Sequence, residues 1–132
     1  MSEKELYKQL LVNKSKKVET IVNKAKDVLG IDKDTGEPII LVSRAKLRDE
    51  DCVALYLIGK FIASELELVD SPSATYTEIA DKMGIDKAIV AARLSDMKKK
   101  GYVRSSNRGQ WEIIFPRIGD VLDEVRQRLG MS

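Results

Sequence analysis

The side chains best placed to do chemistry in this sequence are cations. Lys98-Lys99-Lys100 form an unbroken run, with Arg93 before it and Arg104 and Arg108 after it. Residues 85–118 hold 8 basic against 3 acidic residues, residues 47–84 hold 3 against 8, and the whole chain is only +2. Overall charge would therefore not steer the chain to a polyanion, but one segment could meet phosphate. Taken singly, lysines at a helix C-terminus also favour the helix dipole without any ligand, and an arginine in a turn is often merely solvated. Confinement of these cations to one stretch is what points to phosphate contact.

Other chemistry is excluded by composition. The chain has no histidine and one cysteine, Cys52, which removes Cys/His zinc sites, Ser-His-Asp and Cys-His catalysis and any intrachain disulfide. An enzyme would have to work with carboxylates, Lys, Tyr or Ser, and no nucleophile–base pair is visible, so neither catalysis, cofactor nor metal is expected. Asp34-Thr35-Gly36 spells the triplet of aspartic proteases, but its neighbours are Lys33 and Glu37 instead of apolar strands, and it reads as a turn. Asp32 and Asp34 resemble a calcium loop whose glycine stands one place early and which lacks the closing Glu. Cys52 lies in an apolar run and reads as a small core residue. Trp111, Tyr76 and Tyr102 read as packing residues.

At 132 residues, with 43% hydrophobic and 33% charged residues, the chain fits one domain or a small domain with helical extensions. Its charged N-terminus is unlike a signal peptide. The longest apolar run, residues 52–58, is far short of the roughly 20 residues of a membrane span. A lone thiol fits a reducing compartment, and the cytoplasm is the expected location.

The elements that must position the cations follow from periodicity and breakers. Leu11, Val18, Ile21, Val22, Ala25, Val28 and Leu29 recur at helical spacings, predicting an amphipathic helix over residues 3–29 with Gly30 as its stop. Residues 31–38 carry turn chemistry, and the apolar run 39–42 predicts a hairpin or a loop leading into one strand. Residues 47–68 predict a helix apolar nearly all round, which the N-terminal helix or a second subunit must cover. A loop follows over 69–74. Thr75 and Glu78 then fit a capping box for a short helix ended by Gly84. Asp86 caps a helix running to Lys100, with Val90, Leu94 and Met97 on its buried face and Gly101 closing it. Residues 102–105 and 110–115 predict a β-hairpin around 106–109. Pro116 opens a last helix with the stripe Ile118, Val121, Leu122, Val125 and Leu129.

Helix, short helix, glycine turn, longer helix and hairpin, within residues 47–116, resemble the winged helix-turn-helix superfamily of DNA-binding domains, particularly small archaeal and bacterial transcription regulators. Glu78-Ile79-Ala80, Gly84-Ile85, Val90 with Arg93-Leu94, and Lys100-Gly101-Tyr102-Val103 carry the resemblance. It implies a mainly α fold with a small β-hairpin, a winged helix-turn-helix with extra N- and C-terminal helices. It also implies a recognition helix at 86–100, a wing at 105–110, double-stranded DNA as partner and transcription regulation as role. The DNA-binding residues would be Lys87, Ala88, Ala92, Arg93, Lys98, Lys99, Lys100, Arg104, Asn107 and Arg108. Base readout usually needs Arg, Asn, Gln, Ser or Thr edges. This helix offers chiefly Lys87 and Arg93 among alanines, a face that equally suits packing on a protein partner. Residues 1–46 and 117–132 flank the domain with apolar stripes, and pairing of both stripes across a two-fold axis predicts a homodimer.

Overall fold

Asn13 interrupts the first helical stripe. Its Oδ1 accepts a hydrogen bond from the Lys16 amide at 3.0 Å, satisfying one of the free N–H groups of a new helix. In the computed structural model, which describes residues 2–131, the helix expected over 3–29 is therefore two, α1 (Glu3–Lys8) and α2 (Lys14–Ala25). Gly30 is not a helix stop. It lies in strand β1 (Leu29–Ile31), opposite Ile39 of the antiparallel strand β2 (Pro38–Ile40). The turn between them is held by Asp32, whose carboxylate accepts from the amides of Asp34 and Thr35 at 2.8 and 3.1 Å, and by Gly36 at φ 76°. A side chain at Gly36 would meet Val69 at 2.9 Å. The Asp-Thr-Gly triplet is thus a turn, as its polar neighbours suggest.

Helix α3 (Asp49–Glu65) is buried without a break from Asp51 to Gly59. The expected cover, an N-terminal helix or a second subunit, is supplied instead by the hairpin β1–β2, which packs on one side of α3. Gly59 makes that approach possible, since a Cβ there would stand 2.5 Å from the Pro38 ring. Helix α2 packs on the C-terminal helix α6 (Ile118–Arg128). Asp51, fully buried, accepts from the Arg48 amide at 3.0 Å and from the Arg128 guanidinium. This pair ties the end of α6 to the start of α3.

Thr75 caps α4 (Tyr76–Met83) by accepting from the Glu78 amide at 3.1 Å. Glu78 does not complete the capping box. Packing of α4 on α3 brings its carboxylate to the Tyr56 hydroxyl at 2.6 Å and to Lys60 Nζ at 3.1 Å. Gly84 adopts the left-handed conformation that ends α4, and Asp86 accepts from the Ala88 amide at 2.8 Å to start α5 (Lys87–Lys99). Val90, Leu94 and Met97 are fully buried, as their spacing requires.

The wing is a sheet of order β3-β5-β4, with β3 (Ala74–Thr75), β4 (Val103–Asn107) and β5 (Gln110–Ile113), all antiparallel. Strand β3 falls where the sequence reads as loop and helix cap, because two residues are too few to show a period. Tyr102 precedes β4 rather than opening it, and its hydroxyl donates to Glu124 at 2.6 Å. Residues 115–117 form a 3-10 turn around Pro116 before α6 begins. Ile118, Val121, Leu122 and Val125 are buried within the chain, against the expectation that this stripe would pair with a second copy. One hydrophobic core takes side chains from α2, the hairpin, α3–α5, the wing and α6.

Candidate nucleic-acid interface

The buried residues of α5 fix what its other sides present. With Val90, Leu94 and Met97 inward, Ala88, Ala92, Ser95 and Lys99 form the outer stripe at spacings of four and three, and all four are exposed. This stripe is small, so a flat or grooved surface could come close to the helix. It ends in a cation near the helix C-terminus, where positive charge is favoured.

The lysine run does not act as one patch. Lys98 lies toward the wing, its Nζ 5.9 Å from the Trp111 ring centre, within the range of a cation–π contact. Lys99 points outward. Lys100 turns the other way, onto Glu50 Oε1 at 3.0 Å. Arg93 shares that flank, paired with Asp96 Oδ2 at 3.3 Å, and its Nε is buried without a partner. Arg104 is held by Glu112 at 2.7 Å. Lys87 is exposed at the first position of α5, and Arg108 and Asn107 are exposed at the hairpin tip. Lys87, Lys98, Lys99 and Arg108 make no ion pair among the described residues. Of the ten residues singled out from sequence, these four cations, with Ala88, Ala92 and Asn107, are open for contact. Arg93, Lys100 and Arg104 are engaged by carboxylates of the chain.

Two features escaped the sequence reading. Arg48 joins Arg93, Lys99 and Lys100 around a depression of about 750 Å³ beside the start of α3, with Asp49, Glu50 and Asp96 interleaved. Nothing in the run Leu47-Arg48-Asp49 signals that neighbourhood, which depends on how α5 crosses α3. The wing is fastened near its tip by a 2.7 Å hydrogen bond between the hydroxyls of Ser73 and Ser106, residues that read as loop and turn.

Trp111 is nearly buried and packs against Tyr76 with ring centres 6.0 Å apart, the packing role its strand position suggests. Burial pushes the Cys52 thiol up to about 11, so it is protonated at neutral pH and is no nucleophile. Among the described residues, no group of three acidic or Cys side chains is placed to hold a metal ion. None of their helices is long and apolar enough to cross a membrane.

No curated protein and no solved structure matches the chain significantly. Residues 66–104, which hold α4, the glycine turn, α5 and the first residues of β4, match the family model for winged helix-turn-helix DNA-binding, and the architecture around them is a winged-helix fold with extra helices at both ends.

Proposed function

We propose that the protein binds double-stranded DNA through α5 and the wing and acts as a transcription regulator, without catalysis, in the cytoplasm. The observation that supports this most is a set of cations without carboxylate partners: Lys87, Lys98 and Lys99 on α5, within the segment that matches a DNA-binding family, and Arg108 at the hairpin tip just beyond it. The small outer stripe would enter the major groove, with Ala88 and Ala92 against bases or their methyl groups. Lys87, Lys98 and Lys99 would hold phosphates, and Asn107 and Arg108 would reach the backbone or the neighbouring minor groove. Arg93, Lys100 and Arg104 would contribute only by exchanging an internal carboxylate for a phosphate. Acting as a homodimer, two copies would set their α5 helices about one DNA turn apart, which suits a palindromic site.

Duplex binding across a salt series tests the reading. Four phosphate contacts give a slope of log K against log salt of about −3.6. Absence of binding at low salt would overturn it. A second reading has one observation in its favour: Ala88, Ile89 and Ala92 are exposed while Arg93 is turned onto Asp96. In that reading α5 packs on a protein partner, and binding of a partner without duplex binding is its signature.

A further inference from the structure

Helix α1 carries an apolar surface that its own fold leaves bare. None of its residues is buried. Leu6, Tyr7, Leu10, Leu11 and Val12 are 51, 69, 78, 78 and 64% exposed. Hydrogen bonds from the Leu10 and Leu11 amides to the Tyr7 and Lys8 carbonyls carry the turn beyond α1. Residues 6, 7, 10 and 11 therefore lie along one face. A contiguous bare patch of this kind marks a contact surface.

The converse feature lies between α2 and the end of α3. An apolar groove of about 270 Å³ is lined by Val18, Ile21, Val22, Phe61, Leu66 and Phe115, with Lys14 and Glu65 at its rim. Phe61 and Phe115 stack at 5.5 Å. Val18 and Val22, from the half of the N-terminal stripe that the core leaves uncovered, are 43 and 50% exposed. No residue of α1 lines this groove in its own chain.

We propose that the occupant is α1 of a second copy, exchanged reciprocally about a two-fold axis, so that each arm fills the partner's groove. The charges agree: by helical spacing Lys4 and Lys8 stand beside Leu11 along one edge of the apolar face, and Glu65 at the groove can meet them. Reciprocity lets each patch count twice. The α6 stripe, buried in its own chain, cannot serve as this seam. The proposal rests on the homodimer reading above and not on DNA contact.

Sedimentation equilibrium of the full chain tests it. The parent should have twice the chain mass of 14.8 kDa. Leu10→Asp with Leu11→Asp, and separately Val22→Asp, should each return it to one chain mass. All three side chains are exposed in the single chain, so the thermal transition of each monomeric variant should remain cooperative. As a second measurement, a mixture of Leu10→Cys and Val22→Cys proteins should form an intermolecular disulfide that neither forms alone, while buried Cys52 stays out of the exchange. A parent of one chain mass overturns the proposal, as does an arm variant that stays a dimer. A monomeric disulfide within a doubly substituted chain also overturns it, by making the arm close on its own groove. Salt-dependent duplex binding by the monomeric variants is a separate readout. Its loss in the parent as well would overturn the DNA reading and leave the mass result standing.

Discussion

Lys99→Ala and Lys100→Ala, adjacent in sequence, should differ in their effect on DNA binding. Lys99 projects from the outer stripe of α5 with no carboxylate partner, whereas Lys100 Nζ sits 3.0 Å from Glu50 Oε1. Each phosphate neutralised steepens log K against log salt by about 0.9, so between about 50 and 200 mM salt one contact changes affinity by about 3.5-fold. Lys99→Ala should flatten the slope by that 0.9. Lys100→Ala should leave the slope near the parent's, because its charge is already met by the chain. The triple change at 98–100 should then flatten the slope by about 1.8, from Lys98 and Lys99 only. Glu50→Gln supplies the reverse test: it frees Lys100 and should steepen the slope by up to about 0.9. Fluorescence anisotropy of a labelled duplex over a salt series reads all four. Equal flattening by Lys99→Ala and Lys100→Ala would refute the reasoning, as would no effect of Lys99→Ala.

Gly59→Ala should destabilise the fold by about 1 kcal/mol in urea denaturation, although the same change in an open helix stabilises by about that much. The added Cβ would stand 2.5 Å from the Pro38 ring, and such overpacking costs about 1–3 kcal/mol; a gain in stability would sink the packing argument. Arg128→Ala should cost about 3 kcal/mol by leaving the buried Asp51 carboxylate without its counter-charge, and a loss below about 1 kcal/mol in the same assay would show that the Arg48 amide alone satisfies Asp51. Stability should also fall in acid. Asp27 is held below the usual carboxylate range chiefly by its hydrogen bond from Arg126, and Asp32 by the amides of Asp34 and Thr35. Depressed folded-state values mean that this stabilisation is present above the ordinary carboxylate range and is lost as pH falls through the folded values. Unfolding followed from pH 7 to 2 should show the decline below about pH 4, and Asp27→Asn should soften it; an unchanged acid limb in that variant would remove Asp27 from the account.

Legibility in the sequence followed the range over which each feature is determined. Thr75, Gly84, Asp86 and Gly101 are local devices, each acting through its own few residues, and the helices they bound stand where the sequence reads them. The core face of α5 is likewise a matter of spacing within one helix. Strand β3 and the cover of α3 are different, because both depend on partners far along the chain. Ala74 pairs with Trp111, and Pro38 meets Gly59; neither contact leaves a period or a motif at either end. The break at Asn13 sits between these cases. Asn13-Lys14-Ser15-Lys16-Lys17 visibly interrupts the apolar stripe, but only the hydrogen bond to the Lys16 amide turns the interruption into a new helix start.

The same distinction decides what a run of like charges means. Lys98, Lys99 and Lys100 occupy three consecutive positions, and successive side chains on a helix point about 100° apart. Such a run cannot present one face; it must divide among three. Which of the three stays available is then settled by the neighbours met in each direction. An aromatic strand lies on one side, solvent lies outward, and the acidic first turn of α3 lies on the other side. That acidic turn belongs to the 47–84 segment whose excess of carboxylates is plain in the sequence, and folding brings it against the basic segment. The charge division therefore has two consequences. Part of the basic segment is neutralised internally, through Lys100 and Glu50, and a smaller, sharper set of cations is left for a ligand. Counting lysines overstates the cations free to meet a ligand; the angular position of each lysine on α5 separates the free from the engaged.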